Sequence, residues 1–408
     1  MKTRTIHRRT FLSTSTATVG ALLPTWRSVW ARPGHQEAAP EDLVWHDPES
    51  WGVEGRGWPA AEMKRFYDRL PAKAEGVVRD AVWNLSRDSA GMLIRFETDS
   101  PEIHVRYQLL RERLALPHMP ATGVSGADLY GQDSVGTWRW AAVARPTDQQ
   151  VAAKLLSDLD GSARGYTLYF PLYNGVDSLQ IGVPRGTKFR SIAPRKEKPI
   201  VFYGTSITHG ACASRPGMPH PAILGRRLNM PVINLGFSGN GRMESEVGSL
   251  LCELRSAAYV IDCLPNMDSL QVSERAEPLV RQLREAHPET PIVLVEDRTF
   301  TNAWIRSSSR EHHNASRAKL REAFEHLERS GISKLHYLEG EVLLGKDSEG
   351  ATDGSHPSDL GFMRQADAFE PVLRKALSLS HPSGSWTFAR GSLGRGTYHE
   401  ATKITKDL

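Results

Sequence analysis

Between residues 199 and 377 five apolar runs follow one another: IVFYG (200–204), PVINLGF (231–237), AAYVIDCL (257–264), PIVLVED (291–297) and KLHYLEG (334–340). Each has the length of one strand and is apolar at consecutive positions, so each needs cover on both faces. The intervening segments carry a helical period instead. Leu279, Leu283 and Ala286 share one face of residues 275–287, and Leu320, Phe324 and Leu327 share one face of 316–330, with Gly331 placed as a stop. Strands alternating with amphipathic helices specify an α/β domain: a mainly parallel sheet between two helical layers. Ligands of such folds meet the carboxyl ends of the strands.

The preceding half has a different texture. From about residue 43 to 194 the period is two, with Ile94, Phe96 and Thr98 alternating with Arg95 and Glu97, and Ile103, Val105, Tyr107 and Leu109 alternating with His104, Arg106 and Gln108. DSAG and TDSPE supply turns, and a further strand pair is expected around Asn174-Gly175. Several short half-buried strands must bury one face against another sheet, which predicts an all-β sandwich or jelly roll. The charged stretch PRKEKP (194–199) reads as the linker between the two halves. The expected organisation is a leader at 1–31, a β-sandwich domain at 40–195, an α/β domain at 199–378 and a flexible glycine-rich tail at 380–408.

The leader has a basic start, KTRTIHRRTFL, followed by a modest apolar stretch ending near Ala31, too short and polar to span a bilayer. It reads as an export signal, and Arg8-Arg9 with Phe11-Leu12 resembles a twin-arginine signal, which implies a periplasmic or extracellular protein and no stable membrane anchor. A disordered basic arm is the alternative. The net charge of +4 comes from Lys and Arg scattered among Asp and Glu, so charge makes no case for nucleic acid. Cys212, Cys252 and Cys263 lack metal or redox spacing and are expected as buried thiols.

Ser206 follows the first apolar run in VFYGTSITHG, in a tight turn where a strand ends. Alone, a serine after a strand is more often a helix N-cap. Asp353 and His356, in ATDGSHPSDLGF, could supply the imidazole that takes a serine proton and the carboxylate that holds the imidazole's tautomer; by itself such a pair is more often a turn aspartate and a surface histidine. NLGFSGNGRME follows the second strand, where Gly236, Gly239 and Gly241 let backbone N–H groups face a ligand and Asn240 offers an amide. Asn266, after the third strand, could aim a second amide at the same point.

This ordered set resembles the SGNH, or GDSL-like, hydrolase superfamily, over about residues 199 to 377. The resemblance implies a flavodoxin-like three-layer domain with Ser206 as nucleophile, His356 as general base and Asp353 as its orienting carboxylate. It implies an oxyanion hole of Gly239, Asn266 and the Ser206 backbone N–H. Two positions depart from the pattern: Thr205 stands where the family carries Asp, and Leu264 where it carries Gly two residues before the Asn. GADLY (126–130), with EGRGW and YDRLPAKAEGVVRDAVWNLSRDSAG, is similar to the GxDLY-type β-sandwich module that precedes SGNH domains in a bacterial group of predicted acyl and carbohydrate esterases.

The function implied is a serine esterase acting on short acyl esters, acetyl above all, of small molecules or carbohydrate. Two alternatives stand beside it: a lipase, lysophospholipase or thioesterase for longer chains, and a silent carbohydrate-binding protein. His209, Asn240, Arg242 and Glu244 are candidate pocket residues, each with a structural alternative. Trp45, Trp51 and Trp58 could stack on sugars but suit a sandwich core equally. His312-His313 lacks a partner at metal spacing, and neither a metal nor another cofactor is expected.

Overall fold

The computed structural model describes residues 42–380, so the leader and nearly all of the expected tail lie outside it. Nine strands precede the PRKEKP stretch: β1 (Leu43–His46), β2 (Leu93–Thr98), β3 (Ile103–Leu109), β4 (Asp128–Gln132), β5 (Trp138–Val143), β6 (Gln150–Leu156), β7 (Arg164–Tyr169), β8 (Val176–Pro184) and β9 (Phe189–Ile192). They form two antiparallel sheets, β1-β8-β3-β6 and β5-β4-β7-β2-β9. The inward residues of both, among them Ile94, Phe96, Val105, Tyr107, Leu129, Leu168 and Ile181, make one core. Alternation along β2 and β3 is as the period of two requires. The pair expected around Asn174-Gly175 is not a hairpin, because β7 and β8 belong to different sheets. Asn174 is buried at the crossing and bonds Arg111 and Ser125 with its side-chain amide.

The five apolar runs become β10 (Ile200–Gly204), β11 (Val232–Gly236), β12 (Ala258–Asp262), β13 (Ile292–Val295) and β14 (Leu335–Leu338), all parallel, in the order β11-β10-β12-β13-β14. The order reverses at β10, and ligands of open α/β sheets bind at such a switch point. The helices are α1 (Asp80–Ser86), α2 (Ala121–Val124), α3 (Ser206–His209), α4 (His220–Arg227), α5 (Ser245–Leu251), α6 (Ser269–Ala286), α7 (Ser307–Arg329) and α8 (Asp359–Ala376). Alternate strand residues divide the sheet between two cores. Val201, Tyr203, Leu235, Tyr259 and Leu294 meet α5, α6 and α7, whereas Ile200, Phe202, Val260 and Val293 meet α4 and α8.

Helix α6 begins earlier than its apolar face suggests, because Asp268 and Gln271 close a capping box, and it runs through Pro278. Both cores recruit residues from before the linker. Trp58, Leu70, Val82 and Trp83 join the first; Met119, Val124 and Leu172 join the second. Full burial of a large apolar side chain contributes about 1.5–3 kcal/mol, so these shared residues bind the two halves tightly. Among the described residues no helix is long and apolar enough to cross a membrane.

Candidate active site

Register sets the site. Gly204 at the end of β10 pairs with Gly236 of β11 and Asp262 of β12, so three loops leave the sheet at one level. They carry Ser206, Gly239 and Asn266. Thr205 caps α3, its hydroxyl accepting from the Ile207 N–H at 3.3 Å. The N-cap is therefore the threonine, and the serine occupies the first helical position with its hydroxyl turned elsewhere. Helix α3 lies close on the sheet, and a Cβ on Gly236 would stand 2.1 Å from the His209 backbone nitrogen. Gly236 is thus a close-approach residue. Gly239 differs: its φ is +71° and its Cα faces open space, so it holds a left-handed turn at the loop tip.

The Ser206 hydroxyl stands 2.8 Å from His356 Nε2, and His356 Nδ1 stands 2.8 Å from Asp353 Oδ2. A carboxylate only accepts, so Nδ1 carries the proton and the Nε2 lone pair accepts from the serine. Asp353 also accepts through Oδ1 from the backbone N–H groups of His356 and Ser355, at 2.8 and 3.0 Å. Burial pushes this carboxyl up, but those N–H groups and the imidazole outweigh it and hold it below the usual carboxylate range. The loop is fixed from outside by Thr301, whose N–H donates to Gly354 O at 2.9 Å, and by Arg298, which donates to Ser355 O at 3.0 Å and to the Ser355 hydroxyl.

Beneath α3 lies a second polar group. His209 is 0% exposed and stacks on Tyr173 with ring centroids 4.1 Å apart. Its Nε2–H donates to Leu172 O at 2.6 Å. Burial, aided by the Arg69 guanidinium, pushes its pKa well below the ordinary histidine value. His209 is accordingly no pocket residue: its ring points under the helix turn and touches no solvent. Arg69 is buried as well, donating to the backbone oxygens of Asp88, Asn234, Gly236 and Leu85 at 2.9, 3.1, 2.7 and 2.6 Å. It braces the end of β11 where the glycine loop begins. Tyr173 donates to Ser206 O at 3.4 Å.

Asp262 accepts from Thr208 Oγ1 at 3.0 Å. Burial pushes its carboxyl up to about 7, against the opposing pull of Thr208 and Arg298.

The remaining pocket candidates are engaged within the protein. The Asn240 amide accepts from Arg79 at 2.7 Å and donates to Ser238 O at 2.8 Å. Glu244 bonds Arg79 and the Tyr203 hydroxyl, and Arg242 donates to Gly239 O at 2.9 and 3.2 Å. Asn266 is half-buried in a short 3-10 turn, its Oδ1 buried without a partner. Trp58 is a core residue.

GADLY serves as a clamp. Asp128 accepts from the Gly217 N–H at 2.8 Å and Arg215 at 3.0 Å, and Arg215 also reaches the Tyr130 hydroxyl at 2.5 Å, so the motif holds the segment that follows α3. Among the described residues the donor set that could hold a metal ion is Cys212, Asp353 and His356, whose ligand atoms lie within 4.8 Å of one another. Two of these are already bonded to each other. Burial pushes the Cys212 thiol up to about 11, which keeps it protonated.

A family model of the GDSL-like lipase/acylhydrolase family matches residues 197–374, and one of the N-terminus of SGNH-hydrolase-type esterases, the GxDLY module, matches 43–189. The fold is similar to a structure described as a GDSL-like lipase from Bacteroides ovatus, at 31% identity and a TM-score of 0.79, covering 83% of this chain and 99% of that one. It is also similar to a salicylyl-acyltransferase from a tetracycline biosynthetic pathway (17% identity, TM-score 0.62, covering 82% and 98%). An acetyl xylan esterase from the rumen bacterium Butyrivibrio proteoclasticus shares the fold at 11% identity and a TM-score of 0.51, covering 83% and 100%. No curated protein sequence matches the chain.

Proposed function

The chain belongs to the GDSL-like lipase/acylhydrolase family and is an ester-bond hydrolase, and from that premise we propose that it removes short acyl groups, acetyl foremost, from carbohydrate through a Ser206–His356–Asp353 triad. The observation that carries this reading is the unbroken relay, 2.8 Å from Ser206 Oγ to His356 Nε2 and 2.8 Å from His356 Nδ1 to Asp353 Oδ2. Ser206 Oγ attacks the ester carbonyl while Nε2 takes its proton. The carbonyl oxygen gains negative charge facing the Ser206 N–H, which has no intrahelical partner at the first position of α3, together with Gly239 and Asn266. As the tetrahedral intermediate collapses, Nε2 returns the proton to the alcohol oxygen. Water then repeats the sequence and frees the acid and the serine.

The substrate preference draws on two further points. The glycine loop is polar, with Asn240, Arg242 and Glu244 bonded to other polar groups. The Butyrivibrio neighbour acts on acetyl xylan, which favours acetylated sugars as the first panel. A fluorophosphonate probe followed by peptide mapping tests the nucleophile, with modification expected at Ser206. Absence of labelling alongside a labelled control esterase rejects the triad. Aryl esters of rising chain length test the acyl group: rates falling steeply beyond butyrate are expected, and rising rates would favour a lipase.

A further inference from the structure

The segment from Leu110 to Met119 leaves the sandwich after β3 and ends in a tight turn. Leu116 and Met119 exchange backbone hydrogen bonds at 3.0 Å in both directions, which leaves Pro117 and His118 as the two tip residues. Proline at the first of these positions presets the φ of a β-turn. Met119, 2% exposed, sits in the same core as Val124, Leu172, Ile207 and Ala213, and Leu116 packs against it. At the other end the Arg111 N–H donates to Asn174 Oδ1 at 3.0 Å, and Asn174 Nδ2 donates to Arg111 O at 2.9 Å. The turn is therefore pinned at both ends, and one anchor lies beside the serine helix.

Its tip carries an exposed imidazole over the site. The His118 and His356 ring centroids are 6.1 Å apart with an interplanar angle of 28°. The triad makes no use of His118. His356 must pass its proton to the departing alcohol, so the alcohol oxygen lies within about 3 Å of Nε2. A ring 6.1 Å from the imidazole that meets the alcohol is within reach of that alcohol's own substituents, whereas the donors proposed for the carbonyl oxygen come from the β10, β11 and β12 loops.

We propose that His118 is a specificity-determining residue of an alcohol subsite for polyhydroxylated leaving groups, contributed by the sandwich to the hydrolase site. A neutral imidazole offers one donor and one acceptor, which suits hydroxyl groups that are both, and its face packs against C–H bonds. The inference rests on the serine-esterase reading above.

The test compares two acetyl esters differing only in alcohol, ethyl acetate and a monoacetylated methyl xyloside, on the full protein with His118, His118→Ala and His118→Gln. Loss of one or two hydrogen bonds predicts a fall of about tenfold in kcat/KM for the sugar ester with His118→Ala, less with His118→Gln. Ethyl acetate should change less than twofold with unaltered melting temperature. Equal effects on both esters, or none on either, overturn the subsite. Turnover of ethyl acetate without turnover of the sugar ester overturns the alcohol class. Failure of the unsubstituted protein on both esters, together with no fluorophosphonate labelling, overturns the esterase reading and the subsite with it.

Discussion

The two sides of helix α3 hold one histidine each. On the outer side His356 is partly exposed, with a carboxylate at Nδ1 and a hydroxyl at Nε2. On the inner side His209 is fully buried, with a carbonyl at Nε2 and an unpartnered Nδ1; the Asp88 carboxylate lies 3.6 Å from Nε2, but burial and the Arg69 guanidinium outweigh it. The first arrangement stabilises an imidazolium as it forms. The second opposes one, since burial and a like charge both disfavour protonation. Three residues from the serine in sequence, His209 is barred from acid–base work by its surroundings, while His356, 150 residues away, is equipped for it. What distinguishes them is charge and access, not proximity along the chain.

Four measurements test that contrast. The largest effect is expected from His356→Gln, which should lower kcat by about 10⁴-fold or more with an unchanged melting temperature; a residual rate within tenfold of the unsubstituted protein would remove His356 from the chemistry. Next comes Arg69→Met, on the inner side. It strips four backbone carbonyls of their donor and should cost about 3–5 kcal/mol in urea unfolding. If stability falls while kcat holds, the inner group is purely structural; if both fall, it also positions the loop after β11.

Asn266→Ala should reduce kcat by about 10²–10³-fold with little change in KM, the loss expected for one oxyanion donor. An effect confined to KM would reassign Asn266 to ground-state binding. The smallest expected effect per step of the measurement is the pH slope set by Asp262. Its pKa is about 7 in the folded protein against an ordinary 3.8, so the folded state binds the extra proton within that window. Stability must then fall as pH rises through it, by at most about 1.4 kcal/mol per pH unit from this group. Asp262→Asn should flatten the slope in urea midpoints measured from pH 4.5 to 7.5; an unchanged slope would place the titration elsewhere.

Much of the α/β half was legible because burial on both faces leaves continuous apolar runs that few other folds require. The sandwich was legible from its alternation, except at Asn174-Gly175, where a turn-like dipeptide joins two sheets instead of two paired strands. Ser206, Asp353 and His356 were readable as types in order, and only the family resemblance joined them as a set. Arg69, Tyr173, Arg298 and His118 gave no local signal. Arg69 meets Gly236 across 167 residues, and an arginine destined for burial is written no differently from one on the surface. His209 stayed open between a pocket and a structural role for the same reason, since spacing from the serine says nothing about which side of the helix turn is covered.

The sequence alone determined the two textures, the strand ends at which polar groups gather and the residue types able to activate a serine, because these depend on local periodicity and side-chain chemistry. The folded chain alone set the 2.8 Å contacts of the relay, sealed His209 beneath the serine helix and brought His118 of the sandwich beside His356. Those outcomes depend on solvent exclusion and on charges brought together across long separations, which no local pattern encodes.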